Sequence, residues 1–458
     1  MNGFRNGLLL AAAAFTVLAA AGARTFFRDR APETSASPRS DASSRAVPLR
    51  VPEAEAPDPE ALAADAAAAR GTIRFLEQRV GRDPRDFLSL NKLAGYYLQA
   101  LRETGRPELI DLARRTAEAS LAAVRADRNP GGLAALAQVE LASHDFVAAR
   151  DHARQLMDLD PGKVYPYLIF ADALLELGDY EGAAAVLRHA DENHDGAPAH
   201  VVAIQVRLGR LAVLHGRTEA AERHLLEALL AALGSPAVSR ETAAFCRWQL
   251  GEIAFSVGDY EAAERHQRDA LTTFPGYFRA HLSLARVRAA RGDRALAIEH
   301  GRQALRVRPD PVGRGFLGDL YRLSGRHLEA AAQHALARID PHPRQLALFL
   351  ADHDLDAEAA YRLARREYGV RRDIYGADAL AWTALKAGRL SEAREAVAKA
   401  LRLGTLDARI LYHAGMIARA AGDRTAARDH LARALALNPQ FDPIQAPIAR
   451  IALAGIDD

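Results

Sequence analysis

At 458 residues, 49% of them apolar, the chain can bury a large core; length alone allows three domains unless an internal repeat makes it one body. A formal net charge of +2 excludes a global field that would draw it to nucleic acid or anionic membrane. Cys246 is the only cysteine, which excludes an intramolecular disulfide, a cysteine metal cluster and a Cys-x-x-Cys redox pair.

In residues 1–23, Arg5 precedes an apolar run from Leu8 that ends in Ala21-Gly22-Ala23, a small-x-small cleavage pattern. Sixteen or so residues fall short of the roughly 20 of a membrane span. Arg24, Arg28 and Arg30 follow directly, against the positive-inside tendency of a retained N-in anchor. The expectation is an exported protein with a cleaved signal peptide, and a retained anchor facing the periplasm as the alternative. Such an anchor would be the only membrane contact. Residues 24–57, rich in Pro, Ser, Ala and charge, read as a disordered linker.

Residues 58–83 predict an N-terminal helix. Asp58-Pro59 and Asp83-Pro84 each set a capping carboxylate before a proline at a first helical position. Residues 84–440 then repeat. Turn residues recur at His144, Gly178, Gly216, Gly258, Gly292, Gly325, Gly388 and Gly422, with three intervals of 34 residues. Five residues after each turn stands an alanine, from Ala149 and Ala183 to Ala393 and Ala427. Seven before each comes a small residue: Ala137, Ala171, Gly209, Gly251, Ala285, Gly318, Ala381 and Gly415. This spacing predicts helical hairpins whose two helices approach closely at the small residues, within the usual 8–10 Å. A lone hairpin leaves one apolar face bare, so each unit must serve as the core of its neighbour.

The pattern resembles the tetratricopeptide repeat (TPR) family, most directly at Gly178-Asp179-Tyr180 and Gly258-Asp259-Tyr260. The resemblance implies an all-α, right-handed alpha-solenoid of about nine to ten hairpins, with the first helix of each lining a concave groove that binds proteins. Two units depart from the pattern: residues 91–120 have a lengthened first helix and turn, and the array is interrupted near 343–370, where the turn glycine is missing. Residues 441–458 predict a C-terminal capping helix and tail.

No catalytic set emerges. Gly-x-Ser-x-Gly and phosphate-loop patterns are absent, and Cys246 lies in an apolar helix pattern as an inert core thiol. Gly313, Gly315 and Gly318 satisfy Gly-x-Gly-x-x-Gly formally but follow no strand. His152, His224, His266, His300 and His430 share one repeat position, but equivalent positions in neighbouring units lie about 10 Å apart, too far for one metal. The acidic stretch Asp191 to Gly196 has no calcium-loop spacing. No cofactor or metal is assigned. If the resemblance holds, the groove is lined by Asp172, Arg210, Trp248, Glu252, Phe255, Arg286, Asp319, Arg322, Trp382, Tyr412 and Arg419. Gln138, Asp172, Arg210, Glu252 and Arg286 stand where family members that clamp chaperone tails carry Lys and Asn, which argues against that role. The sequence reads as a non-catalytic scaffold of the bacterial envelope that binds a protein or peptide and no nucleic acid. The alternative is a periplasmic metal or small-ligand carrier using histidines from different rows.

Overall fold

Asp58 accepts a hydrogen bond from the Glu60 N–H at 3.0 Å, and Pro59 opens the first helix, α1 (Pro59–Arg82). The computed structural model describes residues 51–54, 56–309, 311–339 and 342–457; within them there is no strand, and every long element is an α-helix. Residues 1–23 and most of the expected linker lie outside the described residues. Val51 packs against a core built from residues 199–280. No helix among the described residues is long and apolar enough to cross a membrane.

After α1, twenty helices form ten consecutive hairpins. Hairpin 1 is α2 (Phe87–Thr104) and α3 (Glu108–Ala123); hairpin 2 is α4 (Pro130–Ala142) and α5 (Phe146–Leu159). Hairpin 3 is α6 (Val164–Leu177) and α7 (Tyr180–Asn193); hairpin 4 is α8 (Pro198–Leu214) and α9 (Thr218–Leu233). Hairpin 5 is α10 (Arg240–Ser256) and α11 (Tyr260–Thr273); hairpin 6 is α12 (Phe278–Ala290) and α13 (Arg294–Val307). Hairpin 7 is α14 (Pro311–Leu323) and α15 (His327–Arg338); hairpin 8 is α16 (Pro343–Asp352) and α17 (Ala357–Val370). Hairpin 9 is α18 (Ile374–Lys386) and α19 (Leu390–Leu401); hairpin 10 is α20 (Ala408–Ala420) and α21 (Arg424–Leu437). A last helix, α22 (Gln445–Asp457), packs on α21.

Local chemistry explains the hairpins. All eight repeat-spaced turn residues, His144 included, have positive φ, between 60° and 86°. This left-handed conformation ends the first helix and reverses the chain. Asp145, Asp179, Asp259, Asp293 and Asp423 then cap the second helices by accepting a backbone N–H three residues on. The paired small residues are buried: Ala149, Ala183, Ala221, Ala263, Ala297, Ala393 and Ala427 have no solvent exposure. A Cβ added at Gly415 would lie 2.7 Å from Leu431 Cγ, so the second helix rests directly on the glycine backbone. Hairpin 8 lacks the glycine and turns instead through Asp354 and Asp356, at φ of 53° and 33°, after an α16 of only 10 residues.

One local reading is corrected. Asp83-Pro84 starts no helix; these residues form a turn, and Asp86 caps α2 by accepting from the Ser89 N–H at 3.0 Å. Arg79 fixes the Asp86 carboxylate at 2.6 Å, which holds its pKa at about 2 together with the capping bond. The carboxylate nearest in space to the helix start was three residues further on.

First helices of neighbouring hairpins pack on one another (α4 on α6, α16 on α18, α18 on α20), whereas second helices make no comparable contact. The stack therefore curves toward its first helices, which form the concave wall. The curvature is tight enough for successive coils to touch. The turn of hairpin 3 meets the chain between hairpins 8 and 9: the Arg372 N–H donates to Glu176 O at 2.9 Å, and the Ile374 N–H donates to Tyr180 Oη at 2.8 Å. The turn of hairpin 4 meets the chain between hairpins 9 and 10, where a Cβ on Gly216 would lie 2.6 Å from Gly404 O. The turn of hairpin 5 meets the chain after hairpin 10, where Tyr260 Oη donates to Asn438 Oδ1 and Asn438 Nδ2 to Phe255 O, both at 2.6 Å. Arg308, between hairpins 6 and 7, lies against the Gly105 turn of hairpin 1.

Candidate functional site on the concave wall

Because first helices stack side by side at a spacing of one repeat, polar residues 34 or 35 positions apart face each other across neighbouring hairpins. The wall is consequently a ladder of paired side chains. Asp172 accepts from Arg207 at 2.6 and 3.0 Å, and Glu176 pairs with Arg210 at 2.7 Å. Trp248 Nε1 donates to Ser283 Oγ at 3.0 Å, and Glu252 accepts from Ser283 at 2.6 Å and from Arg286 at 2.8 Å. Asp319 faces His353 at 2.9 Å, and Asp378 faces His413 at 2.8 Å. Trp382 Nε1 donates to Asp352 at 2.8 Å, and the Trp382 ring stacks on His413 at 4.3 Å.

The expected lining residues thus fall into three groups. Asp172, Phe255, Asp319, Trp382 and Tyr412 are buried between hairpins. Arg210, Trp248, Glu252 and Arg286 are half-buried and engaged in the ladder. Arg322 and Arg419 are exposed. Their registers belong to first helices, but most of their polar groups already have partners within the chain.

The structure brings Phe255, Arg286, Phe316, Gln440, Phe441 and Asp442 around a small cleft of about 50 Å³. Three successive first helices supply one side, and the chain after hairpin 10 supplies the other. Arg286 lies over the Phe255 ring at 4.4 Å, a cation–π contact held by the Glu252 pair. The cleft is far smaller than the roughly 300–1,000 Å³ of a cofactor pocket and fits a single side chain.

Other sequence-singled residues have ordinary surroundings. Cys246 is fully buried, and burial pushes its thiol up to about 12, so it is not a nucleophile. Gly313, Gly315 and Gly318 lie inside α14. The histidines of the repeat row stay apart: His152 contacts Glu140 at 2.8 Å and His224 contacts Gln205 at 2.6 Å, each within its own hairpin. Asp195 accepts from the Ala197 N–H and contacts His200, closing a turn.

Two groupings were missed. One is the buried junction of Glu176 with Arg371, joined by Asp373 and Arg344, which ties hairpin 3 to hairpins 8 and 9. No sequence signal spans 195 residues. The other is the meeting of Asp319, His334 and His353. The 34-residue separation of Asp319 and His353 equals the repeat period and could have flagged it.

Tetratricopeptide repeat family models match residues 140–203 and 408–441. No curated protein matches the chain. Among solved structures, a human IFIT1 dimer with m7Gppp-AAAA is similar at 17% identity and a TM-score of 0.47, over 69% of this chain and 72% of that one. PilF of Pseudomonas aeruginosa is similar at 23% identity and a TM-score of 0.27, over 45% of this chain and 99% of that one. BtubC from P. vanneervenii is similar at 22% identity and a TM-score of 0.36, over 44% and 89%. Residues 140–203 and 408–441 are tetratricopeptide repeats, and the hairpins between and around them continue one all-α solenoid.

Proposed function

We propose that the protein is a non-catalytic protein–protein interaction scaffold of the bacterial cell envelope, which holds an extended peptide segment of its partner along the concave wall. The tetratricopeptide repeats support the interaction role. The observation that carries the site is the small cleft where the aromatic rings of Phe255, Phe316 and Phe441 meet the polar groups of Arg286, Gln440 and Asp442. Aromatic and Arg groups around such a pocket make effective anchors for a partner. Arg322 is exposed on α14, the helix that also carries Phe316. Export rests on the charged, apolar and small-residue pattern of residues 1–23.

Site-specific photocrosslinking in cells tests the reading. A crosslinker at Phe316 should trap a discrete partner that one at Leu328, 87% exposed on α15, does not. The Phe316 adduct should fall at least several-fold in an Arg286→Glu, Arg322→Glu variant. Equal yields at both positions, or no response to charge reversal, contradict groove binding. Recovery of the native chain in the cytoplasmic fraction contradicts export.

A further inference from the structure

Asp319 on α14, His334 on α15 and His353 just past α16 come from three elements, yet their ligand atoms all lie within 4.8 Å of one another. Asp319 Oδ1 is 2.9 Å from His353 Nε2 and 3.4 Å from His334 Nε2. His353 is oriented by its other nitrogen, which lies 2.8 Å from Phe349 O. That carbonyl can only accept, so Nδ1 carries a proton and Nε2 is the nitrogen turned toward the Asp319 carboxylate. His334 Nε2 has no hydrogen bond of its own and points to the same oxygen. Two imidazole nitrogens and a carboxylate oxygen thus converge on one point, a donor set that suits a divalent transition-metal ion.

We propose that Asp319, His334 and His353 bind one divalent transition-metal ion of the zinc type, joining hairpin 7 to hairpin 8. Nitrogen and oxygen donors at about 2.1 Å from a tetrahedral ion lie about 3.4 Å from one another. The two Asp319–His separations are 2.9 and 3.4 Å and all three ligand atoms lie within 4.8 Å, so rotation of the rings admits the ion. Hydrogen bonding of the far imidazole nitrogen to a backbone carbonyl is the usual outer support of a histidine ligand. Gly318 belongs to the site as well: a Cβ there would overlap the His334 ring, so only glycine lets the imidazole lie across α14. The side chains of His334 and His353 are 19% and 16% exposed, leaving a solvent path and a fourth position for water. Arg322 lies 3.8 Å from Asp319 Oδ1, but with 46% of its side chain exposed it can withdraw into solvent. The ion would staple the hairpin whose first helix is the shortest and whose turn lacks glycine.

Isothermal titration of zinc chloride into the metal-free, untagged chain at pH 7.5 tests this independently of any partner. The expected result is one ion per chain with a submicromolar Kd and a rise in Tm on loading. Cobalt(II) should give the visible absorption of a four-coordinate site. Loss of an outer-shell partner already weakens a metal site by about 10–100-fold, so His334→Ala and His353→Ala should each weaken binding by about 100-fold or more. His300→Ala, in the repeat row, should bind as the parent does. Absence of stoichiometric binding by the unsubstituted chain overturns the proposal without reference to any variant. So does binding unchanged in both His334→Ala and His353→Ala.

Discussion

Arg371 and Glu176 stand 195 residues apart and form an ion pair whose side chains are 2% and 1% exposed. Arg210 holds the other Glu176 oxygen at 2.7 Å, Asp373 lies 3.3 Å from Arg371, and Arg344 lies 2.9 Å from Asp373. Charges this deep persist only when each has partners, because desolvation costs several kcal/mol per ion. The junction therefore fixes how closely one coil of the solenoid approaches the next.

Two glycines with the same backbone conformation separate hairpin geometry from coil contact. Gly216 and Gly388 have φ of 65° and 72°, but a Cβ on Gly388 meets nothing within 4 Å, whereas one on Gly216 meets Gly404 O at 2.6 Å. Gly388→Ala should cost about 1–2 kcal/mol, the left-handed penalty alone. Gly216→Ala should cost a further 1–3 kcal/mol or so, as overpacking does. Equal midpoints in guanidinium denaturation would mean that the coils are not in contact at this turn.

Capping predicts a gain as well as a loss. Asp259 accepts from the Ala262 N–H at 2.9 Å, and Asp259→Ala should destabilise by about 1 kcal/mol. Arg217 occupies the same place before α9, is exposed and makes no side-chain cap. Arg217→Asp should stabilise by about 0.5–1 kcal/mol. Thermal unfolding of the two variants reads both signs, and a lowered Tm for Arg217→Asp would refute the capping account of this turn.

His144 links the coil junction to pH. Burial, and after it the Arg371 charge, lowers its pKa to about 4; Glu176 opposes this, while Arg344 and His342 add to it. In the unfolded chain the imidazole takes its proton near pH 6.5. Between those values the unfolded state binds more protons, so stability falls as pH drops from about 6.5 to 4. Allowing for partial solvent exposure, the share from this residue is on the order of 1–2 kcal/mol. His144→Asn keeps a residue that tolerates the left-handed turn and should reduce the difference in urea midpoint between pH 7 and 4.5. An unchanged difference would show that His144 does not titrate with folding.

Much of the hairpin was legible because its determinants are local. Turn residues must reverse the chain, and Ala263 and Ala297 must let a helix approach; both requirements recur at one period and leave a record in the sequence. Lining positions such as Asp172 and Glu252 could be placed on first helices for the same reason. Their partners were less visible, because facing residues 34 or 35 apart pair only once the hairpins stack. The contact of Tyr260 with Asn438 was invisible, since it depends on small rotations summed over hairpins 5 to 10. At Asp83-Pro84 a valid local rule had a competitor at Asp86, and the ion pair with Arg79 decided between them.

The most direct test of coil-on-coil closure is a double-mutant cycle on Glu176→Gln and Arg371→Met, read by guanidinium unfolding of the full chain. Closure predicts a coupling energy of about 2 kcal/mol or more, toward the top of the range for residues in one buried network. Free energies that add to within about 0.5 kcal/mol would mean that the two side chains act independently, and that the solenoid does not close on itself at this junction.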